Sequence, residues 1–250
     1  MLNVANIEFL RRRFEKPNNY YGKQGLAPQL SLLRIEEDLV NGKGVYEFDL
    51  KKNILSGCEK NLKRNDLFIT CSIGLATRIE DEDKPNVLVP NFSPQIADTT
   101  TSGSAVTVNV PGFNTNDILA LYNGSMYIST GNIVNFSDLP TSLFLKQQSD
   151  DTTIIPTGKA IRNKVFSFEN DLRTMAEEIV FAGTQDHTIK VSFPTYASSD
   201  YSAAQAKDAN GDVISHYKTK ICLLVLGYRI VNGTNDQYRT DEANPYAPFI

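Results

Sequence analysis

The sequence predicts an all-β fold, a jelly-roll β-sandwich or barrel preceded by one short helix. Three features lead there. Strand-like segments punctuated by Gly, Pro and Asn recur about ten to twelve times along the chain. Helical and strand periods never alternate, which removes the α/β classes. The richest apolar run, "ICLLVL" at 221–226, shows no polar alternation, so its strand needs cover on both faces. Ile221, Leu223 and Val225 fall on one side, Cys222, Leu224 and Leu226 on the other. Burying each large aliphatic is worth about 1.5–3 kcal/mol. The side not used by the core is therefore expected to meet the second sheet of another barrel, a helix or another subunit.

The elements follow in order. Residues 3–16 predict the helix: Asn3 or Asn6 can cap it, Ile7, Leu10 and Phe14 share a face, and Pro17 is expected to stop it. Arg11, Arg12, Arg13 and Lys16 occupy much of the remaining circumference. Such a stretch is a solvated basic face or a contact for anionic lipid or nucleic acid.

After the connector "KPNNYYGKQGLAPQ", the segments "LSLLRIEEDLV" (30–40) and "VYEFDLK" (45–51) read as strands around the turn "NGKG". The next strand, 65–80, is long, and Gly74 near its middle predicts a bulge or bend. "NVLVPNF" and "SAVTVNVPG" read as short strands ended by prolines. A hairpin is expected over 117–130, with Asn123-Gly124 in a type I′ turn and Leu119, Leu121, Met126 and Ile128 alternating on its arms. "GN" at 131–132 then leads into "IVNFSDL", and 176–194 reads as a further strand–turn–strand unit. Residues 195–218, rich in Ser, Ala and Asp, form a loop long enough to be functional or mobile, with Tyr196, Tyr201 and Tyr217 in or near it. "PYAPFI" at the end reads as non-helical, an arm across a neighbouring subunit or a disordered tail. The expected organisation is a helix and connector over 1–28, barrel halves over 29–145 and 146–234, and a C-terminal arm over 235–250. One enlarged roll and a double jelly roll both remain open at this point.

Composition narrows the class. In 250 residues, 41% are hydrophobic and 22% charged, enough to build a core. The net charge of −4 argues against a molecule that binds nucleic acid by its overall field. Cys58, Cys71 and Cys222 are odd in number and lack CxxC spacing, so they read as reduced, buried small hydrophobes. The arginines of "MLNVANIEFLRRRFEK" follow a short apolar stretch instead of preceding one, so no secretory leader is expected, and no run suits a membrane span. The sequons at Asn91, Asn123, Asn135 and Asn232 then read as accidental.

Residues that do chemistry are scarce. His187 and His216 are the only histidines, too few for a metalloenzyme on a jelly roll. Neither sits near a motif-placed nucleophile, and both read as surface imidazoles. No catalytic residue and no organic cofactor is expected. "EDEDKP", with Asp81 and Asp83, and "DANGD", with Asp208 and Asp212, each read as a solvated turn or as a structural calcium site. No glutamate closes the second as a calcium loop; Thr219 stands at that position.

Four stretches, taken with the basic N-terminal helix, carry a family likeness: "RNDLFITCSIGLATRIED", "LALYNGSMYISTGNIVNF", "AEEIVFAGTQDHTIKVSF" and "KICLLVLGYRIVNG". In style and order they resemble the jelly-roll capsid proteins of small tailless icosahedral bacteriophages with an internal membrane, such as the phages of Flavobacterium. The resemblance implies a coat subunit that associates with copies of itself as a trimer in an icosahedral shell. It implies other capsid proteins as partners, with internal membrane lipid or packaged nucleic acid against the helix. It also implies a location in the virion, and in the host cytoplasm during assembly. In that family two-barrel subunits tile the shell and a single-barrel relative fills the five-fold vertices, so the chain is expected to be one or the other. The alternative class is a non-viral carbohydrate- or protein-binding β-sandwich module; the expectation of no secretory leader, the absence of Trp and the odd number of cysteines speak against it.

Overall fold

The computed structural model describes residues 4–51, 62–81, 120–145, 152–154, 160–162, 172–194, 206–207, 213–214 and 217–250. Helix α1 (Val4–Tyr21) opens the fold, and a 3₁₀ turn at Gly22–Gln24 ends at Gly25, whose φ of 80° only glycine adopts freely. The strands are β1 (Gln29–Asp38), β2 (Val45–Phe48), β3 (Leu67–Asp81), β4 (Ser125–Thr130), β5 (Ile133–Pro140), β6 (Thr152–Ile154), β7 (Ala160–Arg162), β8 (Arg173–Thr174), β9 (Val180–Ala182), β10 (His187–Ser192), β11 (Ala206–Lys207), β12 (Val213–Ile214) and β13 (Tyr217–Ile230). A short helix α2 (Asp236–Arg239) and a 3₁₀ turn (Ala247–Phe249) close the chain.

Two antiparallel sheets form a sandwich. The larger runs β1-β13-β3, with β8 and β9 both on the far edge of β3; the smaller runs β2-β10-β4-β5. β6 with β7, and β11 with β12, pair only with each other among the described residues. Counting β8 and β9 as one interrupted strand, the two sheets hold eight strands among the described residues; numbered one to eight in chain order as β1, β2, β3, β4, β5, β8–β9, β10 and β13, they stand in the order 1-8-3-6 facing 2-7-4-5. The main core lies between the sheets, where Leu33, Ile35, Ile73 and Leu75 meet Phe48, Met126, Ile128 and Val191. Each sheet takes strands from both sides of residue 145, so 29–145 and 146–234 do not form separate barrel halves.

Strand direction reverses at each connection. Connectors 39–44, 82–124, 141–172 and 193–216 therefore meet the sandwich at one end, and 49–66, 131–132 and 183–186 at the other.

Several expectations are corrected by packing. Pro17 does not stop α1, which continues a further turn although a mid-helix proline typically costs about 3 kcal/mol. Pro17 is itself buried, and the added turn carries Tyr21 into complete burial, which offsets that cost. In β3 the irregularity is not at Gly74, which pairs regularly with Leu224; it is at Cys71, the extra residue opposite the Leu226–Gly227 step. Gly227 is needed there because a Cβ would run into the Ile69 carbonyl oxygen and the Phe68 ring.

The hairpin at Asn123-Gly124 does not form either. Both residues keep negative φ, Gly124 bonds Thr141 just past the end of β5, and β4 pairs instead with β5 through Gly131, φ 56°. Gly124 is glycine for space, since Phe193 and the Ser192 carbonyl lie against it. The 176–194 unit is no hairpin: β9 joins the larger sheet and β10 the smaller, so the turn between them crosses from sheet to sheet. "NVLVPNF", "SAVTVNVPG", Leu119, Cys58, Tyr196 and Tyr201 lie outside the described residues.

The end bearing 183–186 is tied by a buried ion pair. Arg229 Nε donates to Asp66 Oδ2 at 2.8 Å and Arg229 Nη2 donates to the same oxygen, with side chains only 5% and 2% exposed. Asp66 Oδ1 also accepts from the Asn232 amide at 3.4 Å, and the Gly183 amide donates to the Asp66 carbonyl at 2.8 Å. Three connections thus meet on one carboxylate residue. Removing one partner of a buried pair typically costs about 3–5 kcal/mol. Asp66→Ala is expected to lose about that much unfolding free energy in urea denaturation.

Candidate functional site

The outer face of the larger sheet holds the most elaborate polar arrangement among the described residues. The Cys71 bulge creates it. Ile73 and Ser72 pair with Arg173 and Thr174, and Leu67, Phe68 and Ile69 with Ala182, Phe181 and Val180, leaving residues 175–179 opposite Thr70 and Cys71 alone. Hydrogen bonds from the Met175 amide to the Cys71 carbonyl (3.0 Å) and from the Thr70 amide to the Ile179 carbonyl (2.9 Å) clamp the two ends of this loop. Its carbonyls turn toward α1. Arg13 Nη2 donates to Met175 O at 3.1 Å and Ala176 O at 2.6 Å, while Arg13 Nη1 and Lys16 Nζ pair with Glu178 at 3.1 and 2.8 Å.

The basic quartet is therefore divided. Arg13, 11% exposed, and Lys16 hold the helix to the sheet. Arg11 and Arg12 are about three-quarters exposed and pair along the helix with Glu15 (3.0 Å) and Glu8 (2.8 Å). Two cations and two anions leave this outward stretch without net charge. No helix among the described residues is long and apolar enough to cross a membrane.

The two-faced strand is satisfied within one chain. Ile221, Leu223 and Val225 enter the main core, and Leu224 and Leu226 pack with Leu172 and Leu32 on the outer side. Further along, the Tyr228 ring meets Phe14 at a tilt, 5.4 Å between centroids, and its hydroxyl donates to the Leu10 carbonyl at 2.9 Å. All six residues from Ile221 to Leu226 are buried, so of the alternatives expected for this strand, packing between sheets and under other segments of the same chain is the one that covers it.

Residues 235–250 likewise do not reach out as an arm. They fold back onto α1 and the larger sheet, where Tyr238, Tyr246 and Ile250 join Tyr21, Leu67, Ile69 and Val180 in a second apolar cluster. "PYAPFI" contains the 3₁₀ turn that the sequence reading excluded as helix. Asn244 Nδ2 donates to the Tyr21 hydroxyl (3.1 Å) and the Tyr238 carbonyl (2.8 Å), and Tyr20 donates to Asp241. Burial pushes the Tyr21 hydroxyl up to about 12. The Tyr20 hydrogen bond holds the Asp241 carboxyl below its ordinary value.

None of this is reactive chemistry. Burial pushes the Cys71 thiol up to about 12, with Arg13 opposing, so it stays protonated and inert. Cys222 is buried as well, and neither is in a disulfide. His187 is not a surface imidazole. It stands edge-on to Phe181 at 5.2 Å, its Nε2 bonds the Ala182 carbonyl at 2.6 Å, and its buried Nδ1 has no partner. Burial holds its pKa below the ordinary value, with nearby Lys51 acting the same way and Asp186 and Asp49 opposing.

Asp81 closes β3, and no group of three metal-ligating side chains occurs among the described residues. Asp83, Asp208, Asp212 and His216 lie outside them. An apolar cleft of about 240 Å³ opens between β5 and β8, lined by Phe136, Leu139, Leu143, Phe144 and Met175, with Arg173 and Glu177 beside them. The sequence reading missed this cleft and Glu178. "AEEIV" offered the second as an acidic pair, but only the bulge turns Glu178 toward the helix. Comparison with protein-family models, curated proteins and solved structures finds no match.

Three outcomes follow from these contacts. Arg13→Ala removes two charge-assisted hydrogen bonds and the Glu178 ion pair and is expected to cost at least about 1.5–3 kcal/mol, with faster amide exchange in α1. Arg11→Ala, which removes one exposed pair, should cost about 0.3–0.5 kcal/mol. Because the folded chain holds His187 neutral, its contribution to stability is complete above the unfolded value of 6.5. That contribution is lost as pH falls below this value, where the unfolded chain takes the proton first. Melting temperature should therefore drop between about pH 7 and 5, and His187→Gln should flatten that drop.

Proposed function

We propose that the chain is a structural protein, a coat subunit of a virus particle built as a single jelly roll. One observation carries the reading: the strand order 1-8-3-6 facing 2-7-4-5, which is the order two intertwined Greek keys produce. The interleaving of early and late strands favours one enlarged roll over two barrels. Within the resembled phage family a single roll suits the vertex subunit better than the two-barrel major subunit. The working state is then an oligomer of this chain, a trimer or a ring at a symmetry axis, in contact with other coat proteins. Its place is the virion, and the host cytoplasm during assembly.

Contact of α1 with lipid or nucleic acid is no part of this proposal. Arg13 and Lys16 are committed to the chain itself, and the charges of Glu8, Arg11, Arg12 and Glu15 cancel. A subunit of this kind works by fit, so its energetics lie in surface complementarity and not in a reaction site. Size-exclusion chromatography with light scattering tests the reading. A discrete oligomer or closed particle is expected, and a monomer at every concentration overturns it.

A further inference from the structure

Three Asn-Gly pairs fall among the described residues, Asn41-Gly42, Asn123-Gly124 and Asn232-Gly233; a fourth, Asn210-Gly211, lies outside them. Such a pair can react with itself. The amide nitrogen that follows an asparagine can attack the side-chain carboxamide carbon, and glycine, lacking a Cβ, hinders that approach least. The attack needs a nitrogen that is not tied up in a hydrogen bond and room for the carboxamide to swing over it. The fold treats the three pairs differently on both counts.

Two of them are held shut. The Gly124 amide donates to Thr141 Oγ1 at 2.9 Å, and the Ser192 carbonyl and Phe193 crowd that glycine. The Gly233 amide donates to the Ile230 carbonyl at 3.3 Å, and the side chains of Ile230 and Leu67 pack against it. Asn41-Gly42 is open. Both residues are exposed, at the tip of the β1–β2 connection. The Lys43 amide closes the turn on the Val40 carbonyl at 3.1 Å, and the Gly42 amide makes no hydrogen bond among the described residues. With negative φ at Asn41 and a φ of 78° at Gly42 the turn is of type II, and a Cβ at Gly42 would meet nothing within 4 Å. Below the tip, the Val40 amide donates to the Tyr46 hydroxyl at 2.9 Å and fixes the stem.

We propose that Asn41 is a site of spontaneous modification, its carboxamide converted to a carboxylate by cyclisation onto Gly42. Solvent base takes the Gly42 amide proton, the nitrogen bonds to Asn41 Cγ, and the Cγ–Nδ2 bond breaks to release ammonia. Water then opens the cyclic imide at either carbonyl. One opening leaves aspartate at position 41; the other leaves an isoaspartyl linkage, with the main chain routed through the side-chain methylene. One water is consumed and one ammonia leaves, with no oxidant and no enzyme. The change adds one negative charge to a chain whose formal net charge is −4, next to Lys43, whose Nζ lies 4.5 Å over the Tyr46 ring. The isoaspartyl form also lengthens the turn that joins β1 of the larger sheet to β2 of the smaller. Nothing in this proposal depends on the coat reading.

The test ages the full, folded chain in weakly alkaline buffer made with heavy-oxygen water, followed by proteolysis and peptide mass mapping. Heavy oxygen is expected to enter at Asn41 at least about tenfold faster than at Asn123 or Asn232, whose glycine amides must first break a hydrogen bond and open locally. In chain unfolded by urea the three positions should react within about threefold of one another, because it is the fold that separates them. Asn41→Gln, a change at an exposed position checked for folding by circular dichroism, should slow the appearance of acidic forms in isoelectric focusing. Incorporation at Asn41 no faster than at Asn123 or Asn232 in the folded chain overturns the proposal, and so does none at all.

Discussion

A strand with aliphatic side chains on both faces governs this molecule. β13 lies inside the larger sheet between β1 and β3, and its two faces cannot both be served by one opposing sheet. An antiparallel sheet commonly leaves one face to water. Here the second face is roofed by α1, by Leu172 and by the folded-back tail, giving a third layer over part of the sandwich. The smaller sheet has no such demand: β2 alternates exposed and buried residues in the ordinary way.

Roofing a sheet with irregular chain creates polar debts, and the buried charges settle them at the places where regular pairing fails. The Cys71 bulge turns the Met175 and Ala176 carbonyls away from the ladder, and Arg13 receives them. The Asn232 turn and the Gly183 corner meet at Asp66, which Arg229 neutralises. Asn244 does the same for the tail with an uncharged amide. In each case the polar side chain follows from a backbone irregularity, and in each case it joins segments far apart in sequence.

What could be read beforehand followed from period and composition: an all-β chain, a leading helix, strands over 30–40, 45–51 and 65–80 that overlap β1, β2 and β3, and the double-sided burial of Ile221–Leu226. What could not be read depended on which strands become neighbours. Pro17 looked like a stop because its local cost is visible while the burial of Tyr21 is not. Asn123-Gly124 looked like a hairpin turn because its composition suits one. Its real constraint, the closeness of Phe193, comes from a strand some seventy residues later. Arg13 and Lys16 looked equivalent to Arg11 and Arg12; only the loop opposite Cys71 separates them. The cleft between β5 and β8 left no trace in the sequence, because its lining joins β5 and the turn after it to β8 and the loop after it, segments far apart in the chain.

The unequal ends of the sandwich have a consequence for how such a chain can change. At one end, turns as brief as 131–132 and 183–186 set strand register, so an added residue there would rotate a whole strand face. At the other end three lengthy crossings join strands already held by their neighbours, and lengthening them costs little, since closure entropy grows only with the logarithm of length. Variation in length should therefore gather on those three crossings, while the turns at 131–132 and 183–186 stay constant.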